Sequence, residues 1–188
     1  SNPDFLMVGE GCYDLQSQYY GTYTRADYWH EPVLRYIDPT VPIACAVIDH
    51  NDLNHVNMCL ADRYAMSYEV RNFKGHLGEF PRVMAYGRKV DNLRRRYADF
   101  LWNGEFLDVL GATVKGDNIR YTVFRNLKNG KKAVVVYNVD TKKANTASIS
   151  IDGSSAPLVM ASPEKPAPAK FTGAVTLGPQ SAVVIMEK

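Results

Sequence analysis

Apolar and polar positions follow two different rules along the 188-residue chain. Before about Gly111, apolar residues come in short unbroken runs or recur at helical spacing; after it they alternate with period two between turn residues. In the later region 119–125 (IRYTVFR) alternates and is rich in strand formers. Asn129-Gly130 follows, a hairpin signal because both residue types tolerate positive φ. The returning run 132–139 (KAVVVYNV) is apolar enough at its centre to be buried on both faces. After the turn Asp140-Thr141-Lys142-Lys143, residues 147–151 alternate up to Asp152-Gly153, and strands are predicted at 158–160, 174–177 and 182–186. Pro163, Pro166 and Pro168 cannot donate to a ladder, so 162–168 reads as a loop or edge. Many short strands punctuated by turns predict an antiparallel sandwich.

The earlier region predicts buried strands at 5–8 and 41–48, which lack a separable polar face, as parallel strands do. Between them lies a stretch holding Tyr13, Tyr19, Tyr20, Tyr23, Tyr28 and Trp29. Leu53, Val56, Leu60 and Tyr64 then mark a helix that Asp52 can cap. A longer helix runs from Phe80 to Leu101, with Pro81 in its first turn and Asn103-Gly104 at its end. Strands joined through helical segments point to an α/β unit. Two such strands cannot cover their own faces, so the chain is expected to be a piece of a longer protein. Ser1-Asn2, which resembles the remnant of a cleaved tag, agrees with that expectation.

Composition narrows the function classes. The 22 basic and 20 acidic residues leave a net charge of +2, which argues against nucleic acid as a partner. Arg94-Arg95-Arg96 is the one basic run and reads as a solvated helix face. No apolar stretch approaches the roughly 20 residues of a membrane span. Cys12, Cys45 and Cys59 are widely spaced in apolar surroundings and read as buried free thiols. No cofactor motif is present. Asp49-His50-Asn51-Asp52-Leu53-Asn54-His55 contains metal-ligand types, but His50 and His55 are five positions apart rather than the four that align two ligands on a helix, so no metal is expected.

The candidate chemistry centres on Glu10. FLMVGEG runs four apolar residues into a carboxylate held between Gly9 and Gly11. An acid just past a buried strand either serves a site at the strand's C-terminal end, where flanking glycines allow a ligand to approach, or merely solvates a loop.

FLMVGEG, VPIACAVID, the helix through MAYGRKVDNLRRRYADFLW and the tail from YTVFRNLKNGKKAVVVYNVD to VTLGPQSAVVIMEK together resemble the last part of a (β/α)8-barrel glycoside hydrolase with its C-terminal accessory β-sandwich, of the polysaccharide-degrading type found in gut bacteria. The resemblance covers nearly the whole chain. It implies an α+β chain: residues 1–110 as the C-terminal segment of a catalytic barrel, a partial barrel fragment with helices, and 111–188 as an antiparallel β-sandwich. It further implies that 5–8 is the seventh barrel strand and that Glu10 stands where many retaining glycosidases carry their nucleophile. Retention needs a second carboxyl about 5–5.5 Å away; none is evident here, so the chain is expected to be inactive without the missing N-terminal part of its parent.

Asp14, Trp29, His30, Asp49 and His50 are the expected substrate-binding residues, since sugar rings stack on aromatics and polar groups after barrel strands line the cleft. Carbohydrate is the implied partner, a periplasmic or extracellular parent the implied setting, and homo-oligomers through the open barrel edge a further expectation. The competing reading is a non-catalytic carbohydrate-binding or structural sandwich with a helical extension.

Overall fold

Short parallel strand pairs with one capped helix, followed by antiparallel sheets with a helical cover, make this an α+β protein. The computed structural model describes residues 8–10, 22–24, 35–36, 39–48, 52–69 and 75–188, and the chain divides into two units, Ser1–Val83 and Met84–Lys188.

In the first unit, β1 (Val8–Glu10) pairs in parallel with β2 (Thr22–Thr24). β3 (Ala44–Ala46) leads through α1 (Leu53–Ala61) to β4 (Ala65–Ser67), which lies parallel to β3 with Cys45 opposite Met66. β2 also runs beside β3. The sequence pattern anticipates β1 and β3 but not β2 or β4: three residues are too few to show a period, and Thr-Tyr-Thr is submerged in an aromatic stretch. Around β3, Val41, Ile43, Cys45, Val47 and Ile48 are buried while Ala44 and Ala46 are half-exposed. α1 starts where the sequence places it. Asp52 adopts extended backbone angles and its Oδ1 accepts the Asn54 N–H at 2.9 Å, satisfying a donor the first turn leaves over. The helix ends before Tyr64, and every residue in it except Asn54 is buried.

The second unit opens with most of α2 (Pro81–Arg96), then α3 (Ala98–Leu101). The single long helix expected over 80–101 is interrupted at Tyr97, whose φ of −115° and ψ of 37° leave the helical basin. β5 (Glu105–Phe106), β6 (Ala112–Lys115), β7 (Ile119–Arg125), β8 (Lys132–Asn138), β9 (Asn145–Ile151), β10 (Leu158–Ala161), β11 (Ala169–Lys170), β12 (Ala174–Leu177) and β13 (Ala182–Glu187) follow. They form a six-stranded sheet in the order β11-β10-β13-β8-β7-β5 and a three-stranded sheet β12-β9-β6. The two sheets close over Val123, Val134, Val136, Ile149, Ile151, Phe171, Leu177, Val183 and Ile185.

Alternation assigns the remaining residues of the six-stranded sheet to its other face, yet Phe124, Ala133, Val135, Tyr137, Val184 and Met186 are buried too. Helices cover that face. α3 neighbours β7 and β8. Tyr86 of α2 hydrogen-bonds to the backbone of Ala182, and burial pushes its phenol pKa well above the usual range. Lys89 pairs with Glu164 at 2.6 Å. The unit therefore has three layers, helix on sheet on sheet, and β8 is buried on both faces as its composition predicts. At about 1.5–3 kcal/mol for each fully buried branched side chain, both faces contribute to stability.

The hairpin of β7 and β8 turns through residues 126–131. Asn126 N–H donates to the Lys131 carbonyl, Gly130 N–H donates to the Asn126 carbonyl, and Asn129 Oδ1 accepts from Lys131 N–H. Gly130 has φ of 72°, and Asn129 is not among the residues with positive φ, so one left-handed residue suffices where the Asn-Gly pair suggested two.

Candidate functional site

Glu10 is the last residue of β1, in register with Thr24 at the end of β2. Because the strands are parallel, both residues lie on the C-terminal edge of that ladder. Ala46 and Ser67 end β3 and β4 together in the same way, and Val47 N–H donates to the Ser67 carbonyl at 3.0 Å. Asp49 and His50 follow β3 in sequence, but they and Asp14, Trp29 and His30 lie outside the described residues. Of the expected catalytic and substrate-binding residues, Glu10 alone is placed, and its placement is one of backbone. Thr24 and Ser67 share strand C-termini with it or with Ala46 and were not anticipated, because β2 and β4 were not.

The opposite, N-terminal edge of β3 and β4 is built around a cation. Arg35 is 1% exposed. Its Nε donates to the Asp62 carbonyl at 2.9 Å, Nη2 to the Arg63 carbonyl at 2.8 Å, and Nη1 to the carbonyls of Val41 and, at 3.4 Å, Pro39. Its guanidinium lies 5.4 Å from the Tyr64 ring centroid. Asp62 caps the C-terminus of α1, where carbonyls lack helical partners and carry partial negative charge, so a buried cation is well placed there. Arg35 joins the segment entering β3 to the segment entering β4. Neither sequence spacing nor charge pattern marks it out, since its acceptors are backbone carbonyls from 4 to 28 residues away.

His55 is buried within α1, and among the described residues no group of three or more His, Cys, Asp or Glu could hold a metal ion. Cys45 and Cys59 are buried free thiols, as their apolar surroundings predict; Cys12 lies outside the described residues. Among the described residues no helix is long and apolar enough to cross a membrane.

The second unit offers two surfaces for a sugar-binding reading. The outer face of the six-stranded sheet is closed by helices. The outer face of the three-stranded sheet carries exposed Thr113, Lys115, Thr146, Ser148, Ser150, Ala174 and Thr176, with Thr146 and Thr176 hydroxyls 2.9 Å apart. It holds no aromatic ring on which a pyranose would stack. Trp102 is 43% exposed, but the Arg94 guanidinium lies 5.1 Å from its ring centroid.

No protein-family model matches the chain, and no curated protein sequence matches it. Among solved structures the chain is similar to a Paenibacillus polymyxa xyloglucanase from glycoside hydrolase family 44, at a TM-score of 0.41 and 15% identity. That match covers 82% of this chain, which spans 34% of the other.

Proposed function

We infer that the chain is part of a glycoside hydrolase acting on polysaccharide or oligosaccharide, that its first unit belongs to the catalytic barrel, and that Glu10 is an essential carboxylate of the site. The observation that carries this reading is the position of Glu10 at the C-terminal end of β1, level with Thr24 in a parallel ladder. Parallel α/β folds hold their chemistry at that edge. A carboxylate there can attack the anomeric carbon as a nucleophile, while a second carboxyl from the rest of the parent protonates the leaving oxygen. Asp14, Trp29, His30, Asp49 and His50 complete the cleft in this reading. The non-catalytic alternative gains nothing from the sandwich, one of whose outer faces is covered by helices while the other carries no aromatic ring.

Glu10→Gln in the full-length parent, with folding checked independently, tests the assignment. Loss of a catalytic carboxylate is expected to lower kcat by several orders of magnitude, because the covalent step has no substitute. A near-normal kcat on the polysaccharide substrate would make Glu10 a loop residue and overturn the reading.

A further inference from the structure

Asn-Gly occurs at 103–104 and at 129–130, and the fold treats the pairs in opposite ways. At Gly104 a β-carbon would lie 2.3 Å from the Phe100 carbonyl oxygen and 3.0 Å from that of Arg125, so the backbone there is clamped between α3 and the sheet. Asn103 N–H is held by the Ala98 carbonyl at 2.8 Å. At Gly130 a β-carbon would meet nothing within 4 Å, and the residue sits at an exposed hairpin tip with φ of 72°. Opening the tip breaks the Gly130–Asn126 and Lys131–Asn129 bonds, of 2.8 and 3.0 Å, neither of which involves a residue of the apolar core. Lys131 follows the pair directly, a positive charge that favours loss of the Gly130 amide proton and stabilises a carboxylate, whereas Lys128 Nζ is engaged by Asp99 and Lys132 Nζ by the Asp152 carbonyl.

We propose that Asn129 is a spontaneous deamidation site and that the fold protects Asn103 from the same reaction. The deprotonated Gly130 backbone nitrogen attacks the Asn129 side-chain carbonyl carbon. A carbon–nitrogen bond forms, the bond to the side-chain amide nitrogen breaks, and ammonia leaves with a proton taken from water. The resulting five-membered succinimide adds water at either carbonyl, leaving aspartate or isoaspartate at position 129. Water is consumed, ammonia is released, nothing is oxidised or reduced, and the tip gains one negative charge.

The difference between the sites follows from local stability. The tip reacts from a small local opening, whereas position 103 needs the helix–sheet contact to separate. The test incubates the 188-residue chain in warm, mildly alkaline buffer and maps the gain of about 1 Da per event with a protease that does not cut at lysine. In the folded chain, conversion at 129 is expected to exceed that at 103 by at least about tenfold, to rise with pH, and to vanish in Asn129→Gln, whose longer side chain closes a six-membered ring far more slowly. In denaturing urea the two rates are expected to converge. Conversion at 103 as fast as at 129 in the folded chain, or the same strong bias persisting in urea, would overturn the proposal.

Discussion

The hydroxyl of Tyr97 donates to the carbonyl of Pro166 at 2.8 Å, tying the break between α2 and α3 to the proline-rich loop after β10. Pro166 directly follows a turn in which Ser162 and Lys165 exchange backbone hydrogen bonds. Tyr97→Phe removes one hydrogen bond and little volume. The expected cost is about 0.5–1.5 kcal/mol, read as a lower urea midpoint with unchanged slope. An unchanged midpoint would show that water replaces the phenol at no loss.

Arg35 offers a sharper test. Arg35→Met removes the one side chain that donates to the carbonyls of Val41, Asp62 and Arg63 together. We expect a loss of about 3 kcal/mol or more and faster hydrogen exchange at the amides of Val47 and Ala65, which bond to Ser67 and Ile43. Arg35→Lys is expected to recover little, because an ammonium lacks the planar fork that reaches carbonyls from both segments. Full stability in the lysine variant would mean that charge alone matters.

Two glycine substitutions separate close approach from open space. Gly104→Ala places a methyl against backbone oxygens that cannot swing aside and is expected to cost about 1–3 kcal/mol, as overpacking does. Gly178→Ala meets only the Ser181 Oγ at 3.8 Å and has no left-handed requirement. It is expected to be neutral or to stabilise by up to about 1 kcal/mol through the unfolded chain. Thermal melts of the two variants check both; equal melting temperatures would refute the contrast.

Asp140 supplies a pH dependence. Its carboxylate accepts the backbone N–H groups of Lys142 at 2.8 Å and Lys143 at 2.9 Å, and these bonds hold its pKa below the usual carboxylate value. Because the folded value is depressed, the stabilisation is present above the unfolded value of about 3.9 and fades as pH falls through the folded one. The stability gap between wild type and Asp140→Asn is expected to be level near neutrality and to close in acid. A gap that widens on acidification would contradict the assignment.

Legibility of the fold tracked element length and hydrogen-bond range. The strands at 119–125, 132–138, 147–151 and 182–186 are long enough for alternation to declare them, and Asp52 announced its helix because capping is a local bond. β5 and β11, at two residues each, declare nothing. Nor could the pattern foresee that Asn138 is wholly buried, its amide donating to the Lys143, Leu177 and Gly178 carbonyls while its Oδ1 accepts from Asp140 and Asn145. Those partners are brought together by folding. At the candidate site, the acid after an apolar run was visible as a local feature, whereas its neighbour Thr24 is set by register between β1 and β2.

The helical cover on the six-stranded sheet has a consequence for how the protein can be divided. A fragment beginning at residue 111, where the sequence changes grammar, would leave Phe124, Val135, Tyr137 and Val184 without the cover that buries them. Such a fragment would present a sticky sheet and come out of solution. The portable cassette is helix plus both sheets, starting near Met84, and any exchange of this domain between proteins, by recombination or in the laboratory, would have to carry α2 along with it.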